Sequence, residues 1–298
     1  MHLVAHGGAG SPPEAPPDRQ TVLETAVDRG SDAGTPLAAV SRAVRVLESD
    51  PGFNAGVGGA VQSDGRVRTD AGVMCDDGTT GAVASMTGVE RAVDVARAVA
   101  VETPHVLLAG EHAVAFADAA GIETDRDLLT DEARERFRTA DPPGDVDDQL
   151  AWVRERFGDD ADGTSPRRSS DDHDTVGAVA TDGESVAAAT STAGRWYALA
   201  GRVGDVPQVG AGFYASPAGG ASATGAGEDI ARTGLARQAV ERLEDGADPE
   251  RAAGRAIDAF DEQSSGVAGV VVLNIDGEAG EAHSSPAMQT AGRRKDSD

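Results

Sequence analysis

The run His173-Asp174-Thr175-Val176-Gly177-Ala178-Val179-Ala180 most tightly limits what this chain can become. It joins two textures. Asp141 to Asp172 is polar and acidic, and Val176 to Ala180 is an uninterrupted apolar strand, with Thr175 at the junction. A chain meant to be cut before Thr175 has this look. The cut would leave one threonine carrying both a hydroxyl and a free α-amine. Such an amine titrates at about 7.7–8.0, close to the ideal for a general base at neutral pH. A threonine served by its own amine is one way a weak hydroxyl becomes a nucleophile. Taken alone, a threonine opening a strand is an ordinary structural residue, because threonine favours strands. The rest of the chain decides between the two readings.

The 298 residues suffice for one large domain or two small ones, and 39% apolar content permits a sizeable core. The formal net charge of −25 argues against nucleic acid, whose phosphates call for basic patches, and against anionic membranes. Asp and Glu number 51, and Lys295 is the only lysine. An acidic, lysine-poor, small-residue composition reads as adaptation to high salt, where self-repulsion is screened. Cys75 is the single cysteine, so no intrachain disulfide forms and a reducing interior fits. No run of about 18 apolar residues occurs, and the start Met1-His2-Leu3-Val4-Ala5-His6 lacks a signal-peptide pattern. A soluble, cytoplasmic protein is expected. The histidines at 2, 6, 105, 112, 173 and 283 form no zinc-binding cluster, and no metal site is assigned.

Hydrophobic spacing predicts a first strand at Leu3–Ala5 entering a loop, Gly7-Gly8-Ala9-Gly10, and helices near 18–30 and 36–48. Strands follow at Val67–Met74 and Gly81–Met86, then helices at 90–101 and 109–120. The charged stretch 130–170 contains helical pieces around Trp152 and ends in a mobile acidic linker at 159–172. Strands at 175–181 and 185–191 come next, then a glycine-rich region from Gly201 to Gly227. Helices at 228–244 and 249–263 and strands at 267–275 and 279–284 end the fold, with a disordered tail at 293–298. Strands followed by paired helices in both halves suit an α+β fold, a four-layer αββα sandwich, better than alternating βαβ units.

Eight motifs run in order: His6-Gly7-Gly8-Ala9-Gly10, Asp50-Pro51-Gly52-Phe53-Asn54-Ala55-Gly56, Asp70-Ala71, Thr103-Pro104-His105, Thr175-Val176-Gly177-Ala178-Val179-Ala180, Ala189-Thr190-Ser191-Thr192, Gly201-Arg202-Val203-Gly204-Asp205 and Thr224-Gly225-Ala226-Gly227-Glu228. In this order and spacing the chain resembles the plant-type asparaginase / isoaspartyl peptidase family of N-terminal-nucleophile hydrolases. The resemblance covers nearly everything but the linker and the tail. It implies a single domain cleaved between Asp174 and Thr175 into 1–174 and 175–298, with the N-terminal-nucleophile sandwich fold. Thr175 would be the nucleophile, and Thr192 would hold its hydroxyl in the attacking rotamer. The Thr224 hydroxyl and the Gly225 N–H would form the oxyanion hole, where preorganised donors supply a large part of catalysis. Arg202 and Asp205, with Gly225 and Gly227 beside them, would hold the α-carboxylate and α-amine of an amino-acid substrate; an arginine fork binds carboxylate bidentately. Asn54, Gly7 and Gly8 would lie beside the nucleophile.

The implied reaction is hydrolysis of a β-aspartyl amide, in asparagine or an isoaspartyl dipeptide. The resemblance implies no required cofactor, a structural sodium ion on main-chain carbonyls around Leu47, Glu48, Phe53 and Ala55, and a dimer of cleaved heterodimers. Three positions depart from the family pattern: Asp174 where glycine is usual, Ala193 for glycine, and Ala226 for histidine or asparagine. An Asp-Thr junction is typical of glycosylasparaginases, which makes such an amidohydrolase one alternative; an uncleaved, non-catalytic binding protein is the other. Gly210-Ala211-Gly212-Phe213-Tyr214-Ala215 matches a dinucleotide-binding pattern, but Ser216-Pro217 follows where a helix should open. Gly220-Ala221-Ser222-Ala223-Thr224 lacks the last glycine of a nucleophile elbow.

Denaturing electrophoresis should separate the purified protein into 1–174 and 175–298, the smaller piece beginning Thr-Val-Gly-Ala. An active enzyme that stays one intact chain would refute the cleavage.

Overall fold

The computed structural model describes residues 1–13, 15–157 and 175–293. The linker at 159–172, Asp174 and the tail residues 294–298 lie outside the described residues.

The strands, in chain order, are β1 (His2–Gly10), β2 (Thr69–Cys75), β3 (Thr80–Met86), β4 (Leu107–Ala109), β5 (Val176–Thr181), β6 (Val186–Thr192), β7 (Phe213–Ser216), β8 (Gly219–Gly225), β9 (Ala268–Asn274), β10 (Ala279–His283) and β11 (Ala287–Arg293). One sheet has the order β11-β1-β5-β6-β2-β3-β4, and the other β10-β9-β8-β7. Neighbours are antiparallel except β3 and β4. The helices are α1 (Pro16–Ser31), α2 (Pro36–Glu48), α3 (Ala92–Glu102), α4 (Gly110–Ala119), α5 (Asp131–Ala140), α6 (Val146–Phe157), α7 (Gly227–Thr233), α8 (Leu235–Glu244) and α9 (Pro249–Gln263).

Side chains alternate across a strand, and that alternation sorts the core into layers. On the larger sheet Leu3, Ala5, Val176, Ala178, Ala187 and Ala189 pack with Leu23, Val40 and Leu47 of α1 and α2. On the smaller sheet Ala221, Ala223, Val270 and Val272 pack with Val240 of α8 and Phe260 of α9. The opposite faces supply Val4, Val179, Val186, Ala188, Phe213, Val271 and Leu273 to a third cluster between the sheets. The result is the expected αββα sandwich. Local signals start two of the helices: Thr35 Oγ1 caps Ala38 N–H ahead of Pro36, and Asp248 Oδ1 caps Arg251 N–H ahead of Pro249. Such caps satisfy first-turn donors that would otherwise be orphaned.

The differences from the sequence reading have physical reasons. The first strand runs through the glycine segment to Gly10, with an irregularity between His6 and Ala9. The region from Gly201 to Gly227 contains β7, only four residues long, and β8, whose glycine, alanine, serine and threonine hide the usual strand signature. The Gly210–Ala215 pattern therefore leads into a hairpin, not a helix. The expected helix at 228–244 is two helices, broken where Gly234 takes a left-handed conformation with φ +70°. The fold does not end at 284. β11 pairs with β1, and Arg293, assigned from sequence to the tail, is its last residue and pairs with Asp28.

Glu48 ends α2 with its side chain buried, accepting hydrogen bonds from Ser191 Oγ at 2.6 Å and Val93 N–H at 2.9 Å on one oxygen. Burial pushes its carboxyl up to about 8 against those two bonds. The folded protein therefore keeps a proton that the unfolded chain releases near 4.5, and this stability is lost as pH rises through about 8. Glu48→Gln should flatten the pH dependence of unfolding free energy between about 5 and 8, by on the order of 1 kcal/mol per pH unit. Denaturant titrations across that range check it; equal slopes in the two proteins refute it.

Candidate functional site

The layer between the sheets gathers the residues singled out in the sequence. On β6, Val186 and Ala188 face the second sheet, so Thr190 and Thr192 face it too. On β5, Val179 faces the same way, which places Gly177 and Thr175 on that side. Val176 pairs with Ser191, so the next step outward sets Thr175 opposite Thr192. On β8, Ala221 and Ala223 face the helices, leaving Ser222 and Thr224 toward the larger sheet. Thr175, Thr192 and Thr224 are all buried. Three threonines from three strands thus share one layer.

Each supporting threonine has its oxygen engaged by a main-chain donor. Thr192 Oγ1 accepts Gly194 N–H at 3.0 Å. Thr224 Oγ1 accepts Ala9 N–H at 3.2 Å. The Thr192 hydroxyl in turn donates to Asn54 O at 3.5 Å; a hydroxyl can accept and donate at once. Asn54 lies on the Thr192 side: its carbonyl accepts Ala193 N–H at 3.0 Å, its amide donates to Gly194 O at 2.7 Å and its Oδ1 accepts Ala60 N–H at 2.7 Å. Gly7 and Gly8 follow His6, which pairs with Gly177 on β5. Gly7 O accepts from Arg19, whose guanidinium lies 4.5 Å over the Phe53 ring. The methyl of Ala193 is fully buried, packed with Val61, Val67, Leu128 and Ala133.

Arg202 is not a surface ion-pair partner, since only 16% of its side chain is exposed. Its Nε and Nη2 donate to the two oxygens of Glu228, each at 2.8 Å, and Nη1 takes part in neither bond. Glu228 is thus the arginine's main partner, a role not read from the sequence. The signal was there: Glu228 closes the motif that begins at Thr224, and a buried guanidinium needs a counter-charge. The Thr224–Gly227 segment also lies directly against the arginine. A Cβ on Gly227 would sit 2.7 Å from Arg202 Nη2 and 2.8 Å from Asp205 Oδ1, so a side chain here would displace the ends of both groups.

One guanidinium faces three carboxyls, and their protonation shows how its charge is shared. Burial works against the charge of Glu228, but the hydrogen bonds and charge of Arg202 outweigh it and hold the carboxyl well below its usual range. Burial pushes Asp205 up to about 7, with Arg202 pulling the other way, and one of its oxygens has no hydrogen-bond partner among the described residues. Burial likewise pushes Asp70 up to about 7 against the Ser85 N–H bond and Arg202. Asp70 pairs with Thr192 across β2 and β6, and its Oδ1 accepts that Ser85 N–H at 2.6 Å. A bare carboxyl oxygen in a buried pocket is a ready acceptor for an ammonium group. Among the described residues, no group of three His, Cys, Asp or Glu side chains is placed to hold a metal ion. No described helix is long and apolar enough to cross a membrane.

The family model described as Asparaginase matches residues 1–298. A plant-type L-asparaginase of Pyrococcus abyssi is 36% identical over 298 residues, 97% of this chain and 95% of the relative. One of Pyrobaculum calidifontis is 41% identical over 284 residues, 90% and 89% of the two chains. An isoaspartyl peptidase/L-asparaginase of Bos taurus is 34% identical over 289 residues, 93% and 87%.

Glu228→Gln tests the arginine clamp without reference to activity. A carboxylate held below its usual range adds stability above its unfolded value near 4.5, and that stability is lost as pH falls through the folded value. With 37% of the Glu228 side chain exposed, the substitution should cost about 1 kcal/mol at pH 7, the low end for charge-assisted bonds. The difference from the unsubstituted protein should shrink below pH 4. Equal losses at pH 7 and pH 3.5 would contradict the pairing.

Proposed function

Because the chain belongs to the Asparaginase family, we propose that it is an autoprocessed threonine hydrolase acting on β-aspartyl amides. The substrate is L-asparagine or an isoaspartyl dipeptide, the activities named for its relatives. The observation that carries this reading is the meeting of Thr175, Thr192 and Thr224 in one buried layer with the Arg202–Asp205–Glu228 cluster beside the Thr224–Gly227 segment.

Maturation begins when Thr175 Oγ attacks the carbonyl carbon of Asp174. The peptide C–N bond breaks, the acyl group passes to oxygen, and water hydrolyses the ester. This frees the Thr175 amine and leaves 1–174 and 175–298 as two subunits. In turnover the amine takes the Thr175 hydroxyl proton while Oγ attacks the substrate's side-chain carbonyl. The Thr224 hydroxyl proton and the Gly225 N–H meet the developing oxyanion, and Thr192 orients Oγ. The amine returns its proton to departing ammonia, or to the amine of a departing amino acid. Water then cleaves the β-aspartyl ester on Thr175.

Substrate orientation follows from the clamp. Glu228 fixes the guanidinium plane, leaving Nη1 for the substrate α-carboxylate, and the unpartnered oxygen of Asp205 receives the α-ammonium. The same zwitterion is presented by asparagine and by an isoaspartyl dipeptide; only the leaving group differs. Within this reading no cofactor enters the chemistry. A structural sodium ion would be held by the main-chain carbonyls of Leu47, Glu48, Phe53 and Ala55. Close packing holds this loop: a Cβ on Gly56 would meet Glu48 O at 2.3 Å and Glu90 O at 2.7 Å. An all-oxygen donor set suits a hard cation, which would stiffen the loop bearing Asn54. Operation in the cytoplasm at high salt, as a dimer of cleaved heterodimers, belongs to the same reading.

Arg202→Ala and Arg202→Lys should both lower kcat/KM on asparagine and on a β-aspartyl dipeptide by about 2–4 kcal/mol, because a point charge cannot replace the fork. Autocleavage should survive both changes, since the precursor's own peptide has no use for the clamp. Thr175→Ala should abolish cleavage and hydrolysis together. Near-normal hydrolysis by Arg202→Ala, or any hydrolysis by Thr175→Ala, refutes the assignment.

A further inference from the structure

One buried polar chain is left unused by the chemistry above. His6 Nε2 lies 2.7 Å from Ser222 Oγ, and Ser222 Oγ lies 2.9 Å from Thr190 Oγ1. Thr190 Oγ1 also donates to Gly212 O at 2.8 Å. All three side chains are fully buried. Burial pushes the His6 imidazole down to about 3, with a main-chain hydrogen bond to Thr175 acting the other way. The ring is therefore neutral at any pH at which the protein would work.

The position of this chain is specific. Thr190 stands two residues before Thr192 on β6, and Ser222 two residues before Thr224 on β8. His6 pairs with Gly177, two residues after Thr175 on β5. With side chains alternating along each strand, the chain lies in the same inter-sheet layer as the three threonines, one pleat deeper. It spans the gap between the sheets, from β1 and β6 on one side to β8 on the other. A second tie, Ala9 N–H to Thr224 Oγ1, joins β1 and β8 on the far side of Gly7 and Gly8. Gly177 leaves it room: a Cβ there would lie 1.9 Å from Ser222 Oγ and 2.6 Å from His6 Nε2.

We propose that His6, Ser222 and Thr190 are positioning residues, a hydrogen-bonded strut that sets the separation between the nucleophile strands β5 and β6 and the oxyanion strand β8. This rests on the threonine-hydrolase reading. Apolar packing alone fixes how closely two sheets approach, but it is non-directional; hydrogen bonds of 2.7–2.9 Å fix the lateral alignment of the strands as well. The strut touches no substrate atom. Its effect is on the geometry of attack, where a misplacement near 1 Å costs about 100-fold.

Ser222→Ala removes the centre of the strut, Thr190→Val one end, and Thr190→Ser keeps the hydroxyl. The expected result is a fall in kcat of about tenfold or more for Ser222→Ala and Thr190→Val. KM should stay within about twofold, because the zwitterion clamp is untouched, and Thr190→Ser should return kcat to near the unsubstituted value. Autocleavage should slow in parallel with kcat, since one hydroxyl performs both attacks. An unchanged kcat in Ser222→Ala, or a loss confined to KM, overturns the strut while leaving the threonine-hydrolase reading intact. Absence of β-aspartyl hydrolysis in the unsubstituted protein would instead sink that reading. The strut then stands or falls on crystal structures of the unsubstituted protein and Ser222→Ala. A changed spacing between Thr175 and Thr224 supports it, and an identical spacing overturns it.

Discussion

The close approach of two sheets is the constraint on which the rest of this molecule depends. At several crossings there is no room for a side chain. A Cβ on Gly72 would lie 2.0 Å from the Phe213 ring, and one on Gly177 would lie 1.9 Å from Ser222 Oγ. The residues that face the gap around these points are small: Gly72, Gly177, Ala188 and Gly220. Small residues let backbones from opposite sheets come near enough for short polar side chains to bridge them. Threonine and serine can then act across the gap, where larger side chains would hold the sheets apart.

Charge is handled differently inside and out. The chain carries a formal net charge of −25, yet the Arg202 fork, with only 16% of its side chain exposed, sits among three carboxyls. Glu228 wins that arginine through two directed hydrogen bonds. Asp205 and Asp70, near the same cation but without such bonds to it, are pushed up to about 7 by burial. The cost of burying a charge is met only where geometry is good. Among the described residues, the resulting imbalance leaves one Asp205 oxygen without a hydrogen-bond partner and Arg202 Nη1 outside the Glu228 pair.

The site is continuous with the fold. Thr190 and Thr192 are alternate residues of one strand, as are Ser222 and Thr224. The glycine segment after His6 ties β1 to β8 through Ala9, and Arg19 holds it from the helix side. Moving any of these strands by one residue would turn the hydroxyls toward the helices, because strand periodicity is two. Register is therefore a functional property here as well as a structural one.

The sequence by itself determined the periodic elements and the order of the motifs. The apolar spacing of α2 and α9, capped by Thr35 and Asp248, was legible because helix periodicity and capping are local. The texture change at Thr175 and the motifs around Thr192, Arg202 and Thr224 were legible because they are contiguous. What the sequence hid was of two kinds. β8 and β11 are rich in glycine, alanine and polar residues and lack the apolar alternation that marks a strand, and β7 is only four residues long; they form because a neighbouring strand supplies their hydrogen bonds. The partnership of Arg202 with Glu228, and of His6 with Ser222 and Thr190, joins residues 26, 216 and 32 positions apart. Short-range patterns carry no information about such pairs. Only the stacking of the two sheets, which sets which buried polar groups must satisfy one another, decided them.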